Sequence, residues 1–237
     1  MLEVMTLARC REAIAALLYV GLMWPSVAAA QPVMDLPLAK VRSWTIADRD
    51  LATSSTRAPA YRLRLEMAVV AGGRWAPDVI LDAARRAAAI LAQCDVEVSH
   101  VQLTEFHGPQ RYRHLSTQHS REFARLSGLA KPAIFFVDDT LQRPAFDAEA
   151  VGRANAKTRP EMADTVWMTA AIRDLPIALA HELVHVLTDS GDHSDAPDNL
   201  MRDDTAPENT QLTHDQCRSI VSSGRAKGLL EDGEGRR

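Results

Sequence analysis

Residues 175–189 read as a helix that is apolar nearly all round, through Leu175, Ile177, Leu179, Leu183, Val184, Val186 and Leu187, and it nevertheless carries His181, Glu182 and His185. A helix without a polar face has to be buried. Burying three ionisable groups together without a counter-charge is costly, so the chain must fold around something that satisfies them. Histidines four apart share a helix face, with about 5–6 Å between Cβ atoms, and both imidazoles can then reach one metal ion. Glu182 follows the first histidine directly, which sets its carboxylate beside the metal's open position, where it can take a proton from water. His-Glu-x-x-His in this setting predicts a zinc hydrolase with His181 and His185 as ligands and Glu182 as general base. The competing reading is a hydrogen-bonded structural cluster, or an exported zinc-binding protein whose site is not catalytic.

A catalytic zinc takes three protein ligands and keeps a fourth position open. Gly191 is placed to end the helix, because glycine accepts the left-handed backbone that reverses a chain. The next side chain able to return to the metal is His193. Asp192 and Asp195 are neighbours that can substitute, but imidazole is the commoner zinc ligand and needs no deprotonation at neutral pH. His100, His107, His114, His119 and His214 have no comparable spacing. The acidic run Asp192, Asp195, Asp198, Asp203 and Asp204 lacks the alternation and glycine of a calcium loop and reads as a solvated face.

The rest of the composition narrows the setting. A formal charge of −4 and a sequence pI near 6.1 give no basic surface for phosphates, so no nucleic-acid partner is expected. Residues 1–30 carry Arg9 and Arg11, an apolar stretch over 13–24 and Val27-Ala28-Ala29-Ala30, which read as a secretory signal peptide cleaved near Ala30. The apolar stretch is shorter than the roughly 20 residues of a spanning helix and ends at Pro25, so no stable membrane anchor is expected after cleavage. The protein is therefore expected to be secreted or periplasmic. Cys94 and Cys217 then remain, an even pair that predicts a disulfide in an exported chain.

Hydropathy patterning divides the chain into an N-terminal extension or linker over 31–60, a catalytic domain over 61–225 and a mobile tail over 226–237. Within the extension a strand is expected near 41–46. Leu63, Leu65, Met67 and Val69 alternate with Arg62, Arg64 and Glu66, the signature of a strand with one wet face. Pro77 opens a helix with Ile80, Ala83, Ala84, Ala87, Leu91 and Cys94 on one side. Strands follow at 96–103 and 133–137, with a polar helix over 118–126 between them, and a further strand over 164–169 leads into the motif helix. The last helix opens at Thr213, where Gln216 completes a Thr-x-x-Gln capping box. The fold expected is α/β (α+β): a mixed twisted sheet with a backing helix, a buried active-site helix and a small C-terminal subdomain with one helix.

Over residues 164–220 this order of elements resembles the metzincin clan of zinc metallopeptidases. His181, Glu182, His185, Gly191 and His193 match the motif helix, glycine turn and third histidine of that clan, and Asn199-Leu200-Met201 looks like its methionine turn. The clan's usual spacing is HExxHxxGxxH; here Thr188 stands at the glycine position and His193 lies eight positions after His185 instead of six. The helix must run about half a turn longer, or the loop must bulge, for His193 to coordinate. No tyrosine follows Met201. The resemblance implies a zinc metalloendopeptidase with one Zn2+ per chain and a peptide or protein substrate, hydrolysed by a zinc-activated water with Glu182 as base. It also implies an edge strand at 164–169 that pairs with an extended peptide. A gluzincin-type arrangement would instead take its third ligand from Glu208, in the loop Ala206-Pro207-Glu208.

Overall fold

The structure, a computed structural model, describes residues 37–46, 51, 59–140, 150–153 and 159–233. The signal peptide expected over 1–30 and its cleavage point lie outside these residues. In chain order the elements are β1 (Ala39–Ile46), β2 (Tyr61–Val70), α1 (Pro77–Leu91), β3 (Val96–His107), β4 (His114–Leu115), α2 (Thr117–Ser127), β5 (Ala133–Val137), β6 (Asp139–Thr140), β7 (Ala150–Arg153), β8 (Thr165–Thr169), α3 (Leu175–Thr188), α4 (His214–Ala226) and β9 (Leu230–Asp232).

The main sheet runs in the order β1-β3-β2-β5-β8-β7, with β9 also paired to β2, and β4 and β6 form a separate two-stranded parallel pair. Pairing is parallel among β3, β2, β5 and β8, and antiparallel where β1 meets β3, β7 meets β8 and β9 meets β2. Parallel neighbours need crossovers, and α1 supplies the one between β2 and β3. This is the mixed α/β fold expected, with a mostly parallel sheet.

Both faces of the sheet are covered. Leu63, Leu65, Met67 and Val69 of β2, with Ile134 and Phe136 of β5 and Val166 and Met168 of β8, pack in one core with Ile80, Ala84 and Leu91 of α1 and Leu179, Leu183 and Leu187 of α3. The alternate residues Ala68, Val70, Phe135, Val137 and Trp167 enter a second core with Phe123 of α2. There Phe123 stacks on Tyr112 at 5.4 Å between centroids, and Phe135 stacks on Trp167 at 4.3 Å. The wet face expected of β2 is therefore confined to Arg62, Arg64 and Glu66; beyond them a second layer closes over the strand. Parallel sheets are stable when buried on both faces, and Phe123 of α2 with Tyr112, Leu115 and Met162 provides the second cover.

Two expectations need correction. The strand before the motif helix is not an edge: β8 lies between β5 and β7, and all five of its residues are buried. Among the described residues the edge belongs to β7. The tail over 226–237 is not mobile throughout, because Leu229 and Leu230 are buried and β9 pairs with Tyr61–Leu63. The N-terminal stretch contributes as well: β1 lines β3 from Ala39 to Ile46, mostly exposed.

The predicted disulfide is present. Cys94, in the turn Ala92–Cys94 that ends the α1 crossover, is bonded to Cys217 of α4 across 123 residues of sequence. Closing a loop of that length stabilises by about 5 kcal/mol if the chain-entropy account applies. Among the described residues no helix is long and apolar enough to cross a membrane.

Candidate metal centre

Helix α3 enters from β8 with Pro176 in its first turn and packs against α1 and α4, which is why an all-apolar surface is tolerated. His181 is 4% exposed, Glu182 and His185 are half-buried, and the ring centroids of the two histidines stand 4.6 Å apart. The histidines therefore share one face, as their spacing requires.

Helix α3 ends at Thr188, whose hydroxyl donates back to the Val184 carbonyl at 2.8 Å. The left-handed residue that reverses the chain is Asp189, at φ 54°, and not Gly191. Aspartate is among the few side chains that adopt this conformation. Compared with the shorter spacing of the resemblance, the reversal comes one residue later and the loop to His193 is one residue longer, so the two extra residues are shared between helix and loop. His193 arrives with its ring 5.3 Å from that of His181 and 5.0 Å from that of His185. One ligand nitrogen from each of His181, His185 and His193 lies within 4.8 Å of the others. Among the described residues Asp192, Asp195 and Glu208 do not join such a group.

Backbone carbonyls orient the two helical histidines. Nδ1 of His181 is 2.8 Å from the Leu200 carbonyl, and Nδ1 of His185 is 2.7 Å from the Ser190 carbonyl. The two Nε2 atoms then face each other at 2.9 Å. Each of these three contacts needs one hydrogen, since nitrogen and oxygen lone pairs repel. Two neutral imidazoles carry only two. Whichever tautomers are chosen, one contact sets acceptor against acceptor. A third positive centre, either an added proton or a metal cation, removes the conflict.

Burial decides between them. It pushes His181 down to about 4, against the opposing pull of the Leu200 carbonyl and with help from His185 and His193. Burial lowers His185 as well, with the Ser190 carbonyl opposing. Both rings are therefore neutral at pH 7, and Nδ1–H donation to the carbonyls leaves both Nε2 lone pairs for a cation. The donor set of neutral imidazoles fits zinc. His193 is held more loosely: its side chain is 40% exposed, and its Nδ1 stands 3.6 Å from the exposed Asp203 carboxylate, too far for a hydrogen bond.

The segment 198–202 passes beneath this cluster. Leu200 and Met201 are buried, the Leu200 N–H donates to the Gln211 carbonyl at 2.8 Å, and the Ser194 N–H donates to the Met201 carbonyl at 2.7 Å. The turn thus touches both His181, through Leu200, and the strand of loop that carries His193, through Ser194. The sequence signalled Met201 but not the Leu200 and Ser190 carbonyls, because a backbone acceptor leaves no residue-type trace. Lys227 was also missed: its Nζ donates to the Val186 carbonyl in the last turn of α3 and pairs with Asp164.

No protein-family model matches this chain, and no curated protein matches it. Among solved structures it is similar to metalloproteinase-II from Bacteroides fragilis, with a TM-score of 0.46 and 17% identity over 82% of this chain. The chain spans 59% of that protein's length.

Proposed function

We propose that the protein is an exported zinc-dependent metallopeptidase of metzincin type. The observation that carries the metal is the count at His181 and His185: three close contacts, two hydrogens, and a buried setting that disfavours a third proton. His181, His185 and His193 hold one zinc ion. Bound there, zinc supplies Lewis acidity toward a scissile carbonyl and lowers the pKa of water in the cleft towards 7.

Glu182 is the general base. It is half-buried and follows His181 on the helix. Its carboxylate accepts the proton of the attacking water and returns it to the leaving amine nitrogen. Leu200 and Ser190 keep the two helical imidazoles in the tautomer that offers Nε2. Substrate binds as an extended strand along β7, the outermost strand at that end of the sheet among the described residues, which lies against α3. Main-chain hydrogen bonds of this kind hold a peptide without demanding a sequence. Export is supported by the Cys94–Cys217 bond, which persists in oxidising compartments.

The test is Glu182→Gln against a mixed peptide library, with metal content measured on the same samples. Zinc retained with hydrolysis lost is the expected result. Hydrolysis surviving the change would remove Glu182 as the base, and a wild type that holds zinc but cleaves nothing would leave a non-catalytic zinc protein.

A further inference from the structure

One pair of amides holds the turn under the histidines from outside. Asn199 is 2% exposed. Its Oδ1 accepts the Met201 N–H at 2.9 Å, and it exchanges two hydrogen bonds with Gln216, Nδ2 to Oε1 and Nε2 to Oδ1, both at 3.0 Å. Gln216 Oε1 also accepts the Thr213 N–H at 2.8 Å, completing the capping box of α4. A backbone N–H can only donate, so Met201 fixes which end of the Asn199 amide is oxygen, and Thr213 does the same for Gln216. Each amide has one permitted orientation.

Leu200 lies between Asn199 and Met201, and its carbonyl is the acceptor for His181 Nδ1. Helix α4, which carries Gln216, is itself fixed. Cys217 is bonded to Cys94, and the Gln93 side chain donates to the Thr210 carbonyl at 2.7 Å and accepts the Leu212 N–H at 3.3 Å. A rigid path thus leads from the end of α1, through Gln216 and Asn199, to the carbonyl that orients a metal ligand.

We propose that Asn199 and Gln216 are a positioning pair for the metal centre, setting the Leu200 carbonyl and through it the tautomer and direction of His181. The inference rests on the zinc reading above. Capping alone does not account for the pair. The cap needs only an acceptor at Gln216, which glutamate provides equally well. The Nε2 donor of Gln216 is directed away from its own helix, at Asn199. Glutamate at this position keeps the cap but turns a carboxylate oxygen toward Asn199 Oδ1, acceptor against acceptor. Asn199 cannot rotate to relieve this, because Met201 N–H would then face an NH2 group.

Gln216→Glu therefore separates the two roles. Metal-free wild type and variant are compared by circular dichroism and thermal melting, then titrated with zinc in competition with a chromogenic chelator, and finally loaded with cobalt for visible spectra. The expected result is preserved helix content with zinc affinity weakened about tenfold or more, and a changed cobalt band reporting altered ligand geometry. Equal zinc affinity and an unchanged cobalt spectrum would overturn the proposal. If the variant does not fold, the side-chain amide resonances of Asn199 and Gln216 in labelled wild type carry the test: they shift on zinc addition, and a failure to shift overturns the proposal. Wild type that binds no zinc removes the metal reading itself, and the inference with it.

Discussion

Lys227, just past the end of α4, donates from Nζ to the Val186 carbonyl at 2.7 Å and stands 2.5 Å from Asp164 Oδ1 and 4.0 Å from Asp189 Oδ1. It is a cation at the C-terminus of α3, where the last carbonyls have no intrahelical partners and the helix dipole favours positive charge. The same ammonium joins the helix end to the start of β8.

Lys227→Met is therefore expected to destabilise by about 1–3 kcal/mol, because a half-buried carbonyl and the Asp164 carboxylate lose their partner. Urea unfolding of the metal-free protein measures it. A variant as stable as wild type would show that water replaces the ammonium at no cost.

The Cys94–Cys217 bond predicts a second stability loss. The double change to serine should cost about 2–5 kcal/mol, read from urea midpoints at constant slope. Alkylation of the native protein should modify neither cysteine until a reductant is added. Labelling of both without reductant would contradict the bond.

Acid should destabilise the metal-free protein through His181. Burial holds its folded pKa at about 4, below the ordinary 6.5, so the unfolded chain binds more protons between these values. The stabilisation is complete above about pH 6.5 and is lost as pH falls toward 4, on the order of 3 kcal/mol in full. His185 is shifted in the same direction. Unfolding curves at pH 7.5, 6.5, 5.5 and 4.5, for wild type beside His181→Asn, isolate the contribution. Parallel pH profiles for the two proteins would show that His181 does not carry it.

Much of the fold was legible because its signals are local. Alternation marked β2, the five apolar residues 133–137 marked β5, and Thr213 with Gln216 marked the start of α4, each depending on neighbours in sequence. What escaped depends on distant partners. The strand β7, Ala-Val-Gly-Arg, has too little pattern to announce itself, so the sequence alone leaves β8 at the edge. Leu229 and Leu230 are only two apolar residues in a charged tail, yet β9 pairs with β2 at Tyr61–Leu63, on the side away from β3 and before the pairing with β5 begins at Glu66. The turn was assigned to Gly191 on glycine's general tolerance, while Asp189 takes the left-handed conformation next to Lys227. In the site, residue type and spacing marked His181, His185 and His193 as a set that the fold brings together. The pairing of Asn199 with Gln216 could not be read, since both amides are common on surfaces and only the tertiary fold brings them together.

His181, His185 and His193 are expected to hold one zinc ion between them. The most direct measurement is metal content by elemental mass spectrometry after zinc loading and exhaustive dialysis, on wild type, His181→Ala and His193→Ala. One zinc is expected per wild-type chain, none in His181→Ala and a greatly weakened site in His193→Ala, where the lost side chain belongs to the exposed loop. Wild type without zinc, or zinc retained undiminished by His181→Ala, would contradict this.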